Sequence, residues 1–222
     1  MYDAEEIFFL TAAEYAILLA GKGVKRHYTL QADTEELGEK EICLAMGHLY
    51  QTGLIDSDSE QFFIQEHLEK LLTTIGEAER LLLVRFGRAE NRDFCCFLKG
   101  EEVTFLRLSE RDRNSYELFK GSKGMLAAQL GKCLETDEKH EPVLEEEEYY
   151  RNLKGSRESV TREMIRRFHN LLLSVEEIAP EDGRVNKRLL VCLSEQGVDC
   201  DGVGSLEVIQ GMLKEIVDKG EN

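Results

Sequence analysis

Between Glu39 and Leu72 the chain carries a helical apolar pattern, a short two-strand pattern and a second helical pattern, with almost no linker between them. Ile42, Leu44, Ala45 and Leu49 recur at helical spacing, and Gly53 follows where a helix end favours a residue that tolerates positive φ. Gly53-Leu54-Ile55-Asp56 then reads as a strand, Ser57-Asp58-Ser59-Glu60 as a polar turn, and Gln61-Phe62-Phe63-Ile64 as the return strand. Leu68, Leu71, Leu72 and Ile75 make the apolar stripe of the next helix. Helix, hairpin and helix in immediate succession restrict this part of the chain to a compact α+β arrangement.

That order is the outline of a winged-helix-like unit, and such units commonly contact nucleic acid. The charge opposes that use. From Thr34 to Ile75 nine carboxylates (Glu35, Glu36, Glu39, Glu41, Asp56, Asp58, Glu60, Glu66 and Glu69) face only Lys40 and Lys70, a net of −7. The whole chain holds 28 Lys and Arg against 44 Asp and Glu, a net of −16, whereas a broad phosphate-binding surface rests on clustered cations. A winged-helix transcription regulator with a ligand- or partner-sensing second half is thus the alternative reading. It would lean on Lys22-Gly23-Val24-Lys25-Arg26-His27, against the opposing Glu39 and Glu41.

With 222 residues, 42% of them apolar, the chain can bury a sizeable core. Thr11-Ala12-Ala13-Glu14 is a capping-box pattern that opens a first helix, which ends at Gly21-Lys22-Gly23. Arg80 to Phe86, Phe94 to Leu98 and Val103 to Leu108 read as a three-strand meander, Tyr116 to Phe119 as a further strand, and Gly124 to Leu134 as a helix. Glu135 to Glu148 holds eight acids and one base, which sets the boundary between residues 1–134 and 135–222. Arg151 to His169 is basic and is expected to pair with that acidic run, and Val160 to His169 fits either helix or strand. Leu171 to Ile178 and Lys187 to Leu193 read as a strand hairpin, and Ser205 to Lys219 as an amphipathic helix. The expected class is α+β: a central, mainly antiparallel sheet flanked by helices, with both halves packed on it and the winged-helix-like segment near the start.

Chemistry-bearing motifs are sparse. The six cysteines make no Cys-x-x-Cys, and Cys95-Cys96, inside an apolar run, reads as core. The five histidines stand singly, so His48 is expected in a packing or surface role rather than as a ligand. Asp56 to Glu60 and Asp199-Cys200-Asp201-Gly202 lack EF-hand spacing; the first reads as a hairpin tip and the second as a loop before the last helix. Gly121-Ser122-Lys123-Gly124 lacks Walker spacing and reads as a strand-to-helix turn. No nucleophile elbow is present. No cofactor, metal or enzymatic activity is expected. Acids at the start and no apolar run of about 18 residues point to a cytoplasmic protein without membrane insertion.

Leu10-Thr11-Ala12-Ala13-Glu14 opening a helix, Gly47 to Asp56 leading into a polar turn, Gln65 to Leu72 as a helix, and consecutive strands from Arg80 to Leu108 together resemble the amino-terminal half of the EspG-like chaperones of type VII secretion. Gly53-Leu54-Ile55-Asp56 stands where that family has its glycine-apolar-apolar-Asp step. The resemblance implies a non-enzymatic cytosolic chaperone or adaptor that holds a helical secreted protein through strand-loop elements of its sheet. The matching loop is Gly87, Arg88, Glu90, Asn91, Arg92 and Asp93, between the first two meander strands.

Overall fold

The computed structural model describes residues 6–24, 38–58, 62–86, 93–109, 115–132, 134, 171–194, 197–200 and 203–218. Among them ten strands and five helices follow one another as β1 (Ile7–Thr11), α1 (Ala12–Gly21), α2 (Glu39–Gln51), β2 (Ile55–Ser57), β3 (Phe62–Ile64), α3 (Glu66–Gly76), β4 (Arg80–Phe86), β5 (Phe94–Lys99), β6 (Glu102–Leu108), β7 (Ser115–Gly121), α4 (Lys123–Lys132), β8 (Leu171–Ile178), β9 (Val185–Ser194), β10 (Gly197–Cys200) and α5 (Leu206–Asp218). Eight strands form one sheet in the order β1-β7-β6-β5-β4-β8-β9-β10, and β2 and β3 form a separate pair. Every pairing in both sheets is antiparallel. The class is α+β, as the sequence predicts.

The sheet separates two cores. Successive side chains of a strand point to opposite faces, so β5 sends Phe94, Cys96 and Leu98 one way and Cys95 and Phe97 the other. The first face carries Leu82, Val84, Phe105, Phe119, Val175 and Val191, covered by Leu126 and Leu130 of α4 and Ile209, Leu213 and Ile216 of α5. The second carries Phe8, Leu10, Leu81, Leu106 and Leu118, covered by Tyr15, Leu18 and Leu19 of α1 and Leu68, Leu72 and Ile75 of α3. β5 is buried on both faces, which explains its unbroken apolar run.

β8 pairs with β4 from Leu81↔Ile178 to Phe86↔Leu173, so strands from the later part of the chain extend the sheet built by the earlier part. Arg80 fastens the last helix to this seam. Its Nε donates to Glu177 at 3.2 Å, and its guanidinium also donates to the carbonyls of Ile216 and Val217 at the end of α5. At the other side, Ser122 caps α4 by accepting from the Met125 amide at 3.1 Å, and Lys123 pairs with Glu101 at 2.6 Å, which makes Gly121-Ser122-Lys123-Gly124 a strand-to-helix turn. Gly121 is required there by contact: a Cβ would stand 2.2 Å from the Phe105 ring.

One strand stands where the sequence pattern named none, and one local expectation is corrected. Ile7 to Thr11, adjoining the apolar run of α1, is a strand of the main sheet; it reaches that position by pairing with β7 more than a hundred residues away, from Ile7↔Phe119 to Thr11↔Ser115. Asp199-Cys200 is not loop but the end of β10, paired with β9 through Asp199↔Cys192 and Cys200↔Val191. The Glu135–Glu148 and Arg151–His169 blocks, the boundary after Leu134 and the ambiguity over Val160 to His169 lie outside the described residues.

Candidate functional site

The segment from α2 to α3 forms the helix, hairpin and helix read from the sequence. α2 ends at Gln51; Gly53 takes φ 70°, and the Leu54 amide donates back to the Leu49 carbonyl at 3.0 Å, which turns the chain into β2. β2 and β3 pair Ile55↔Ile64, Asp56↔Phe63 and Ser57↔Phe62, and the Gln65 amide closes the hairpin base on the Leu54 carbonyl at 2.9 Å. The hairpin does not join the large sheet; Ile55 is sunk in the core beneath it, and Ile64 packs partly buried against the same core.

α2 meets α1 through a carboxylate with two tasks. Glu14 is 2% exposed, and one of its oxygens accepts from the Thr11 amide at 2.7 Å, completing the capping box of α1. The other oxygen takes Nδ1 of His48, an exposed residue of α2. His48 is therefore a partner to a buried acid and ties two helices together.

The opposite side of α2 is unusual. Ala45 and Leu49 are buried, yet Ile42, Cys43, Leu44 and Tyr50 are exposed, Leu44 by 64%. A surface helix ordinarily keeps its outward face polar; here exposed apolar residues stand among exposed Glu39, Lys40, Glu41 and Gln51. Tyr50 meets Phe62 edge to face with centroids 6.1 Å apart, which carries the apolar surface from the helix onto the hairpin, where Phe63 is exposed on the other side of the strand. Exposed Glu39, Glu41 and Asp56 add negative charge around it. No signal of sheet period or helix moment reveals such a face, but five consecutive apolar residues, Ile42 to Met46, cannot all lie on one side of a helix.

A second concavity lies between α3 and the β1-β7-β6 part of the sheet. Its volume is about 180 Å³, and Glu6, His67, Lys70, Thr74, Glu102, Thr104 and Lys120 supply its polar lining. His67 Nδ1 meets Glu6 at 2.6 Å, Lys70 meets Glu66 outside the groove at 2.7 Å, and the Thr74 hydroxyl donates to the Lys70 carbonyl at 3.1 Å. Sites for small ligands usually enclose roughly 300 to 1,000 Å³, so this groove is too small for most of them. Among the described residues no group of three or more His, Cys, Asp and Glu is placed to hold a metal.

The chain matches no protein-family model and no curated protein.

Of the loop residues named from the resemblance, Gly87, Arg88, Glu90, Asn91 and Arg92 lie outside the described residues. Asp93 lies at the base of the loop, where its Oδ1 accepts from the Phe86 amide at 2.8 Å and closes the end of the β4–β5 pair. Among the described residues no helix is long and apolar enough to cross a membrane.

Proposed function

We propose that this protein is a non-enzymatic protein-binding protein, a chaperone or adaptor that holds an amphipathic helical segment of its partner against α2 and the β2–β3 hairpin. The observation that carries this reading is the exposed aromatic pair Tyr50–Phe62, which joins α2 to the hairpin, with Ile42, Leu44 and Phe63 also exposed on the same two elements. Exposed apolar surface of this kind marks a contact site, and aromatic side chains are the usual anchors of protein interfaces. The exposed acids beside it select a partner whose apolar stripe is flanked by Lys or Arg. The same acids oppose the approach of a phosphate backbone, which favours a protein partner over nucleic acid. A helical secreted protein, the substrate implied by the resemblance to EspG-like chaperones, has the required chemistry, and its holding before export places the protein in the cytoplasm.

The test is capture from the native cell with the intact protein as bait. Wild type is expected to recover a helical secreted protein, and Leu44→Glu with Phe62→Glu to lose it while the melting temperature stays within a few degrees. Arg88→Ala with Arg92→Ala probes the Gly87 to Asp93 loop separately. If the loop variant abolishes capture and the α2–hairpin variant does not, the contact belongs to the β4–β5 loop.

A further inference from the structure

The groove beneath α3 is lined by groups of three kinds. Some are engaged within the protein: His67 holds Glu6 at 2.6 Å, and the Thr74 hydroxyl donates to the Lys70 carbonyl at 3.1 Å. Others are apolar, Phe8 of β1 and Leu71 of α3, both buried. The third kind is polar and open. Thr104 of β6 is 1% exposed, lies on the face of the strand that alternation turns toward α3, and makes no side-chain hydrogen bond among the described residues. Buried hydroxyls are ordinarily bonded, so one left open in the wall of a groove marks a place for a ligand atom. Lys120 of β7 stands opposite Thr104 in the register, and Glu102 lies two residues before Thr104, on the same face of β6. Both line the groove, and neither makes an ion pair among the described residues. Lys99, opposite Glu102 across the β5–β6 hairpin, is held by Glu77 at 2.5 Å.

We propose that this groove binds a single free α-amino acid with an apolar side chain, its carboxylate on Lys120 and the Thr104 hydroxyl, its ammonium on Glu102, and its side chain against Phe8 and Leu71. Charge decides the class. A plain anion, such as phosphate or a simple carboxylic acid, satisfies Lys120 but stands against Glu102, and a plain amine does the reverse. A zwitterion answers both, because Lys120 and Glu102 start from diagonal positions of neighbouring strands, about 7 to 8 Å apart. Lys70 can add a second cation, since its pair with Glu66 is an exposed i,i+4 contact of the weak surface kind. Size sets the upper limit: at about 15 Å³ for one water-sized sphere, 180 Å³ holds roughly a dozen atoms, enough for an amino acid and too few for a nucleotide or a peptide. Phe8 and Leu71 give an aliphatic side chain apolar cover, while a charged one finds no free counter-ion, because His67 and Glu6 already hold each other. The groove shares no residue with the α2–hairpin face, so it stands independently of the protein-binding reading.

Amide-resolved NMR titration of the intact protein with L-leucine tests this, beside two analogues that each lack one charge: isocaproate, without the amine, and isoamylamine, without the carboxylate. Leucine is expected to bind with a dissociation constant between about 10 μM and about 1 mM, and each analogue about tenfold or more weakly. Lys120→Gln is expected to weaken leucine about tenfold, and Glu102→Gln to abolish the preference for leucine over isocaproate. Both side chains are exposed, so both variants should melt with the wild type. Thr104→Val, which keeps the shape of the side chain, should weaken leucine several-fold; if it folds poorly, the two exposed variants carry the test. That pattern supports the proposal. No shift with leucine, valine or methionine at about 10 mM overturns it. So does leucine binding indifferent to both Lys120→Gln and Glu102→Gln, and so does isocaproate binding as well as leucine, which would make the groove a plain anion site.

Discussion

Tyr15 is fully buried, tilted against Tyr116 with centroids 5.6 Å apart, and its hydroxyl has no hydrogen-bond partner among the described residues. A buried hydroxyl that leaves water without gaining a partner carries a desolvation penalty of about 1 to 3 kcal/mol. Tyr15→Phe, which keeps the ring, is therefore expected to raise stability by up to about 1 kcal/mol in urea titration. The same core contains Cys95, whose thiol is pushed up by burial to about 12, and burial likewise raises Cys96 and Tyr15. Below the ordinary thiol value of 9 both folded and unfolded chains keep the Cys95 proton. As pH rises past that value the unfolded chain loses its proton and the folded chain does not, so stability falls by about 1.4 kcal/mol per pH unit for this thiol. Denaturant midpoints are expected to be flat up to about pH 8 and to drop steeply between pH 9 and about 12. A midpoint that holds constant to pH 11 would show that the thiol ionises equally in both states.

Arg80 of β4 anchors the end of α5. Arg80 supplies donors to the carbonyls at the end of the helix and satisfies Glu177, which is 16% exposed. Arg80→Leu leaves Glu177 and the helix end without this cation, and a cost of about 3 kcal/mol is expected from thermal unfolding. Glu177→Gln, which keeps the size and an acceptor, should cost less. The elements themselves were legible to different degrees. β4 to β6 stand close to where their short apolar runs place them, because local pattern determines them. β1 was hidden, since Ile7 to Leu10 merges with the apolar run of α1 and its strand character comes from pairing with β7, far away in sequence. The contact surface was hidden for a related reason: apolar residues on α2 read as core, and only the packing shows which of them the protein leaves uncovered.

At the scale of the molecule, β4 is the member on which both parts of the chain converge, with β5 on one side and β8 on the other. A chain ended at Leu134 would expose the β4 edge and strip α5 from Leu82 and Val84, so it is expected to lose cooperative unfolding and to bind a hydrophobic dye. A sigmoidal melt with no dye binding from residues 1–134 would show that the first part folds alone. The strand order also has a consequence for synthesis. β1 leaves the ribosome first, but its neighbour β7 is complete only at Gly121, so at about 5 to 20 residues per second the strand waits on the order of ten seconds for its place. An uncharged apolar strand thus exists well before the strand that encloses it. The newborn chain is most vulnerable to strand exchange and to chaperone capture during that interval, before its sheet exists to receive it.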